Sequence, residues 1–389
     1  MRKRFFGVLA AGLAGLILAG TVGTAAAEQP RSAATGMAYT TVDPVRVLDT
    51  RQSLSIGPGG GVSFNLADRV PAGTTSVVLN ITAISPTRST YITAHDRWAP
   101  KPGVSNLNVR AGEIRSNEAT VVVQEDRPWV TLYNHNGNVH LVADLVGYYA
   151  PDAGGYFNAL PIPTRLFDTR THSVRMPPGG VIRAPLTGIV PEDASAVVVN
   201  VTAFQPTTNT FLSVGGGSYV TAATSTVNVM VTEVTANKAT VALNPDDHSI
   251  AVRNNSGMVD AFVDVLGYYG ADGDAYYPTT PVRAFDTRDS YTLSHRGNRR
   301  VPLDHVVPVE AETVLFNLTG ITDYGNYTHL TAYQAGTTRP NTSTLNLYSL
   351  QVASNQTVVP LGVSRAVDLY NHVNYPDAVI DVFGYFAAR

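Results

Sequence analysis

The sequence contains one pattern three times. Each copy opens with a Pro-x-Arg-x-x-Asp-Thr-Arg segment, which begins at Pro44, Pro163 and Pro281. Each copy then has an Asn-x-Thr strand and closes on an Asp-x-x-Gly-Tyr signature. The aspartates at positions 49, 168 and 286 lie 119 and 118 residues apart, so the repeating unit has the size of a domain and not of a solenoid repeat. This spacing argues against a single active site assembled from the whole chain.

The first 27 residues have the three parts of an export signal. Arg2, Lys3 and Arg4 are basic, residues 5–20 are apolar, and Ala25–Ala27 form a small-residue cleavage site. The alternative is an uncleaved membrane anchor, which is disfavoured because the apolar segment is short and rich in glycine. We therefore expect a signal peptide over residues 1–27, a flexible leader over 28–37, and a protein that is secreted and then either released or held at the cell wall.

Charge and cysteine content exclude several classes of function. The chain has 27 Lys+Arg against 30 Asp+Glu, and loss of the signal peptide leaves 24 against 30, a net charge of −6. This balance disfavours nucleic acid and anionic membranes as partners. The absence of cysteine excludes disulfides, Cys-ligated zinc and thiol nucleophiles. We expect no cofactor and no bound metal.

Short β-branched segments separated by Gly, Pro, Asn and Asp dominate every copy. No segment has sustained helical periodicity. The first copy is predicted to have eight strands, over 39–48, 61–66, 76–84, 90–94, 106–110, 119–124, 130–134 and 139–149. The chain is therefore predicted to be all-β, with three tandem antiparallel β-sandwich modules of jelly-roll or immunoglobulin-like type over residues 38–150, 154–270 and 274–389.

Two questions of arrangement stay open at this point. The joins between the copies are short, which is compatible with a semi-rigid rod and with a compact pseudo-threefold cluster. A six-bladed β-propeller with two blades per copy is an alternative fold, but no half-repeat is visible inside a copy. The sequence also does not set the oligomeric state.

Comparison of the three copies identifies the polar residues that recur at equivalent positions. They are candidates either for a ligand site or for a structural polar cluster. The set comprises Arg46, Arg165 and Arg283; Asp49, Asp168 and Asp286; Arg51, Arg170 and Arg288; Asn80, Asn200 and Asn317; Asn108, Asn228 and Asn346; Asn117, Asn237 and Asn355; Asn134, Asn254 and Asn371; and Asp144, Asp264 and Asp381.

Three interpretations of this set are open. In the structural one, Asp144 pairs with Arg46 or Arg51 and the asparagines hold loop backbone, because an unpaired carboxylate in an apolar strand is costly. In the second, each copy has a polar site that hydrogen-bonds sugar hydroxyls. In the third, Asp and Asn oxygens hold calcium, although no contiguous acidic loop is present. Strand alternation predicts that Arg46 and Asp49 point to opposite faces.

An enzymatic function has little support. No Gly-x-Ser-x-Gly or His-Glu-x-x-His motif is present, and only His135 and His372 occupy matching positions. Paired-carboxylate hydrolysis stays open because side-chain separation is not visible in a sequence. Three other features are interpreted as structure: a loop at Gly215–Gly217, surface or core aromatics at Trp98 and Trp129, and an exposed basic loop containing Arg296, Arg299 and Arg300.

The chain resembles a repeat of secreted actinobacterial proteins. Its pattern runs from a Pro-x-Arg-x-x-Asp-Thr-Arg segment through an Asn-x-Thr-Ala strand and a Ser-x-x-Asn segment to Asp-Val-x-Gly-Tyr-Tyr. The matching stretches of the first copy are residues 46–51, 78–83, 105–108 and 144–149, with corresponding stretches in the other two. The resemblance implies non-catalytic accessory or surface domains and implies no particular ligand. The third copy departs most, with Gly320 where the others have Ala and an Arg-rich segment in place of the Gly-rich hairpin.

The expected function is that of a secreted, non-catalytic binding protein of the cell envelope or extracellular space. Its expected partner is a cell-wall or extracellular glycan, bound through the repeated modules, where three weak sites would add avidity. The alternative is a structural scaffold that binds other secreted proteins through sheet edges or loops. A secreted hydrolase is the third and least supported possibility.

Overall fold

The computed structural model describes residues 35–151, 154–172, 174–217, 220–323 and 327–389. The expected signal peptide, and the leader as far as residue 34, lie outside these residues. The described residues belong to one compact unit. Within them the regular structure consists of 24 strands and three short 3-10 turns, with no α-helix.

Each copy contributes eight strands. The first copy has β1 Ala38–Asp49, β2 Gly61–Asn65, β3 Ser76–Ile84, β4 Thr90–Asp96, β5 Leu107–Val109, β6 Ile114–Val122, β7 Trp129–Asn134 and β8 His140–Ala150. The second has β9 Tyr156–Asp168, β10 Val181–Pro185, β11 Ala196–Phe204, β12 Thr210–Gly215, β13 Val227–Val229, β14 Val234–Ala242, β15 Ser249–Asn254 and β16 Asp260–Gly270. The third has β17 Ala275–Asp286, β18 Asn298–Pro302, β19 Thr313–Thr322, β20 Thr328–Gln334, β21 Leu345–Leu347, β22 Gln351–Pro360, β23 Ala366–Asn371 and β24 Asp377–Ala387. The 3-10 turns follow the first strand of each copy, at Thr50–Gln52, Thr169–His172 and Thr287–Asp289.

The strands form six four-stranded antiparallel sheets, two in each copy. We call the sheets β1-β8-β3-β6, β9-β16-β11-β14 and β17-β24-β19-β22 the inner blades. The outer blades are β2-β7-β4-β5, β10-β15-β12-β13 and β18-β23-β20-β21. Each copy has its own apolar core, which contains residues from both of its blades, such as Leu79 and Leu132 in the first copy.

The prediction of three tandem antiparallel β-sandwich modules, jelly-roll or immunoglobulin-like, is wrong. The six small sheets are arranged as a six-bladed β-propeller. Edge strands close the ring across the copies: β6 contacts β13, β14 contacts β21, and β22 contacts β5. Each blade draws its strands from both halves of a copy, so its strand order is not that of a simple meander. This is why no half-repeat is visible in the sequence.

A fourth apolar core joins the three inner blades and contains buried aromatic rings from all three copies. Tyr149 stacks on Tyr276 with 4.1 Å between ring centroids, and its hydroxyl lies 2.6 Å from that of Tyr269. Phe157 and Phe386 belong to the same cluster, with 4.4 Å between their ring centroids. Burying a large apolar side chain contributes about 1.5–3 kcal/mol. The last aromatic of each closing signature (Tyr149, Tyr269 and Phe386), together with first-strand rings such as Phe157 and Tyr276, therefore holds the copies to one another.

Candidate functional site

The first polar group of each copy is a chain of ion pairs that starts on its first strand. Arg46 donates from Nε and Nη2 to the two carboxylate oxygens of Asp144, at 2.6 and 3.3 Å, and from Nη1 to Asp49 at 3.2 Å. Asp49 also accepts hydrogen bonds from the backbone and the guanidinium of Arg51. The equivalent pairs are Arg165 with Asp264 and Asp168, Arg170 with Asp168, Arg283 with Asp381 and Asp286, and Arg288 with Asp286.

The expectation that Arg46 and Asp49 point to opposite faces is wrong. The pairing of β1 with β8 has a register shift between Arg46 and Leu48, and such a β-bulge interrupts the alternation of faces. The two side chains therefore meet. Asp49 also caps the 3-10 turn at Thr50–Gln52, which folds Arg51 back onto its carboxylate. The Asp-Thr-Arg signature thus encodes a capped turn with its own ion pair.

The two carboxyl groups of this chain have pKa values shifted in opposite directions. Asp144 is only 1% exposed, and burial raises its pKa against the opposing effect of Arg46. The hydrogen bonds from Arg51 hold the pKa of Asp49 well below its usual range. The other two copies show the same two shifts: the pKa is raised at Asp264 and Asp381 and lowered at Asp168 and Asp286. Structural ion-pair networks also produce such pKa shifts, so the shifts do not by themselves identify an active site.

The recurrent asparagines of the inner blades bind one copy to the next. Asn80 donates to the carbonyl of Ser225 and accepts from Asn237, both in the second copy. The second copy bonds in the same way to the third, and the third bonds back to the first, which closes the ring. These contacts join Asn200 to Ser343 and Asn355, and Asn317 to Ser105 and Asn117, at 2.6–3.0 Å.

The remaining asparagines hold loops inside each copy. Asn108 donates to the hydroxyl of Ser105, and the backbone carbonyl of Ser105 accepts a hydrogen bond from Asn317. The Ser-x-x-Asn segment therefore takes part in the contact between the first and third copies. Asn228 and Asn346 repeat the hydrogen bond of Asn108. Asn134 accepts from Thr90, and its two amide N–H groups lie within hydrogen-bonding distance of three loop carbonyls. Asn254 and Asn371 hold the equivalent loops.

In the folded protein, the recurrent polar residues form hydrogen bonds and ion pairs with other residues of the chain. The carboxylates of Asp49 and Asp144 are engaged by arginines, and the amide of Asn80 bonds to the second copy. Among the described residues, no group of three or more His, Asp or Glu side chains could hold a metal ion. The predicted set therefore connects strands and copies, and any ligand space has to lie beside it.

Such a space exists where the inner blade of the first copy faces the second copy. This junction cavity has a volume of about 280 Å³. Asn80 and Asp144 of the recurrent set are on its wall, so the first polar cluster and the cavity adjoin. The equivalent cavity between the second and third copies, beside Asn200 and Asp264, measures only about 20 Å³.

Glycines explain why the two cavities differ. Strand β12 ends at Gly215, and Gly216 follows, both on the wall of the junction cavity. At the equivalent positions of the third copy, Tyr333 and Gln334 project side chains that line the smaller cavity. Among the described residues, an added Cβ at Gly215 would meet only Val220, at 3.6 Å, so those residues leave the space beside it open.

Sequence reasoning missed this cavity, because Gly215–Gly217 were interpreted only as a loop. A signal was present in the comparison of the copies, since His95 and Tyr333 stand where the second copy has Gly215. A second expectation is also wrong in part: Arg299 and Arg300 lie in strand β18 and not in a loop, and Arg300 forms an ion pair with Asp368 at 2.9 Å.

Comparison with known proteins adds little. No family model matches the sequence, and no curated protein matches it. A chain from the atomic structure of Sulfolobus Turreted Icosahedral Virus is 10% identical, with 90% of this chain and 91% of that chain covered and a TM-score of 0.20. The N-terminal CBM22-1-CBM22-2 tandem domain of Xyn10C from Paenibacillus barcinonensis is 9% identical, with 60% and 93% covered and a TM-score of 0.19.

At these TM-scores, neither structural similarity indicates the fold or the function of this chain. The resemblance to actinobacterial repeats stays a prediction. In the described part of the chain, no helix has the length and apolar character needed to cross a membrane. Export, the absence of catalysis and the choice of partner likewise stay predictions.

Proposed function

We propose that this chain is a secreted, non-catalytic binding protein, and that its junction cavity holds one uncharged, hydroxyl-rich unit of a cell-wall or extracellular glycan. The observation that carries the proposal is the cavity of about 280 Å³ beside the first polar cluster. This volume is close to the lower end of the range for small-molecule sites, about 300 Å³. The cavity fits one sugar unit better than an extended polymer.

The character of the wall supports a neutral ligand. Valines at positions 42, 146 and 241 give apolar surface, and threonines at positions 41, 224 and 240 give hydroxyl groups. Three carboxylates are on the wall. The two buried ones are already paired, Asp144 with Arg46 and Glu118 with Lys238, and the third, Asp43, is exposed. A charged ligand would have to compete with these pairs, whereas a sugar can use hydroxyl and amide groups.

The proposal differs from the initial expectation in the number of sites. Three equivalent sugar sites would require free polar groups in every copy, but the three clusters bond to the protein itself. A single site at the junction of the first two copies follows from the glycines of the second copy. The saturated clusters also favour the scaffold alternative, in which the ring only presents loops to other secreted proteins.

A cavity-filling variant tests the proposal. Calorimetric titration with monosaccharides and short wall-derived oligosaccharides should detect binding to the intact protein. Gly215→Tyr, which copies the residue of the third copy, should reduce that binding at least tenfold while leaving the fold intact. Gly103→Ala is the matched control, because an added Cβ there meets no atom of the described residues within 4 Å.

The outcomes separate the two functions. Binding that Gly215→Tyr abolishes and Gly103→Ala preserves supports the junction cavity. Absence of saccharide binding by the intact protein, or equal binding by both variants, rejects it. Crosslinking in culture supernatant would then look for the protein partner that the scaffold alternative requires.

A further inference from the structure

A ladder of alternating indole and guanidinium groups lies at one end of the outer blade of the first copy. The Arg97 guanidinium carbon is 4.9 Å from the Trp129 ring centroid and 5.4 Å from that of Trp98, and Arg127 lies 5.3 Å from the Trp98 ring. Trp98 is 50% exposed. These are the only two tryptophans of the chain.

The fold does not require this ladder. In the second copy Gly217 and Ser249 stand where the first has Arg97 and Trp129, and in the third copy Ala335 and Ala366 stand there. Those blades form the same strands in the same order without it. The ladder is therefore a feature of the first copy alone, on a surface that packing leaves exposed.

The ladder presents positive charge to solvent. In the described part of the chain, the Arg97 guanidinium meets no carboxylate and donates no hydrogen bond to the protein. Arg127 has Asp126 at 3.5 Å, which is 77% exposed, and Lys101 extends over the nearby Tyr133 ring at 4.7 Å. Among the described residues, no acidic side chain forms an ion pair with Arg97 or Lys101.

Stacking prepares Arg97 to bind an anion. Cation–π contacts with two indole rings restrict the guanidinium, and the Arg97 side chain is exposed. A planar guanidinium with a free edge forms paired hydrogen bonds with carboxylate or phosphate oxygens. The indole of Trp98 carries two guanidinium groups and is still 50% exposed, so it leaves apolar surface that a sugar can contact beside Arg97.

From this geometry we infer that the ladder is a second binding surface, which takes an acidic glycan through a carboxylate or phosphate group held by Arg97. The surface is separate from the junction cavity and does not depend on the proposed function. An acidic peptide would satisfy Arg97 but would not use the exposed indole. The glycan therefore fits more of the surface.

Tryptophan fluorescence tests the inference directly, because both tryptophans lie in the ladder. The intact protein is titrated with polygalacturonate as the carboxylate source, a polyglycerol phosphate as the phosphate source, neutral dextran, and polyglutamate. We expect a salt-sensitive change in emission with at least one acidic glycan and none with dextran. The acidic polymer that changes the emission shows whether the bound group is a carboxylate or a phosphate.

Two variants locate the binding. Arg97→Ala should weaken the acidic-glycan response at least tenfold, whereas Arg88→Ala removes an exposed charge beyond the other end of strand β4 and should leave it unchanged. Gly215→Tyr should also leave it unchanged, which separates this surface from the junction cavity. Equal responses to dextran, a stronger response to polyglutamate, no response to any polymer, or equal losses in Arg97→Ala and Arg88→Ala would each overturn the inference.

Discussion

At the scale of single residues, the glycine of each Asp-x-x-Gly-Tyr signature has a packing reason. The ring of Tyr39 lies against Gly147, and its hydroxyl donates to the carbonyl of Val146. Phe157 lies in the same way against Gly267, and Tyr276 against Gly384. Only a residue without Cβ lets the aromatic ring of the first strand lie against the last strand.

Alanine at Gly147 should therefore destabilise the protein. Its Cβ would lie 2.1 Å from the Tyr39 hydroxyl and 2.4 Å from the ring carbon that bears it, so the buried ring would have to move. Overpacking of this kind costs about 1–3 kcal/mol. Urea unfolding of Gly147→Ala should show this loss, while Gly103→Ala stays within about 0.5 kcal/mol of the parent protein. Equal stability of the two variants would contradict the packing argument.

The buried ion pair makes a second prediction at this scale. Asp144→Ala removes a carboxylate that is 1% exposed and leaves Arg46 without its main partner. Breaking a buried pair costs about 3–5 kcal/mol. The Arg46 side chain is 30% exposed, so the loss of unfolding free energy should lie near the lower end of this range. Thermal and urea unfolding measure it, with Asp126→Ala as the exposed control, and a loss below about 1 kcal/mol would show that the pair is not needed.

At the scale of strands and sheets, sequence patterns were informative about the elements. The eight segments predicted for the first copy overlap β1–β8, and the main difference in extent is β6, which begins at Ile114 instead of residue 119. Turn residues and β-branched runs are local signals, so they identify strands well. The bulge at Arg46–Leu48 carries no such signal, because its position depends on the pairing with β8.

A pair of stacked histidines on the third outer blade should make stability depend on pH. His329 stacks on His372 at 4.6 Å, and burial together with the charge of His372 lowers the pKa of His329 to about 4. The unfolded chain binds a proton near pH 6.5 whereas the folded protein does not, so stability is full above this pH. It falls as the pH drops from about 6.5 to about 4, by up to ~3 kcal/mol.

Substitution of His329 by phenylalanine isolates this effect, because Phe211 occupies the equivalent position of the second copy. Urea unfolding at pH 7.5 and pH 4.5 should show a smaller loss of stability for His329→Phe than for the parent. His305→Gln, at an exposed histidine, should keep the parent's pH dependence. If His329→Phe and the parent lose the same free energy, the stacked pair does not control the response.

At the scale of the whole molecule, the sequence identified three equivalent copies but not how they close. Blade formation depends on strands from both halves of a copy, and closure depends on contacts between residues more than 100 positions apart, such as Asn237 with Asn80. Recurrence in the sequence singles out these asparagines. The sequence does not show which copy each asparagine contacts. A ligand site and a set of hydrogen bonds between copies therefore give the same sequence pattern.

Where strands β6, β14 and β22 meet, the three copies have different residues at one equivalent position. This difference predicts that a second substitution will restore the stability lost by a first. Glu118, Lys238 and Gln356 occupy equivalent positions on β6, β14 and β22, which contact one another, and each is at most 3% exposed. Lys238→Gln leaves the Glu118 carboxylate buried without its cation and should cost about 3–5 kcal/mol. Adding Glu118→Gln makes the three positions identical and should restore most of the loss. Additive losses in urea unfolding would show that the pair is not coupled.

The closed ring also predicts how the protein unfolds and what an isolated copy does. Residues 38–150 alone would expose Tyr39, Val78 and Tyr149, which the other copies cover in the whole chain, and would lose the asparagine contacts at both junctions. We expect this fragment to be unfolded or self-associated in circular dichroism and size-exclusion measurements, whereas residues 35–389 unfold in one cooperative transition. Independent modules would instead give a folded monomeric fragment and separate transitions. That result would mean that the core between the copies contributes little, since its loss would then leave each copy stable.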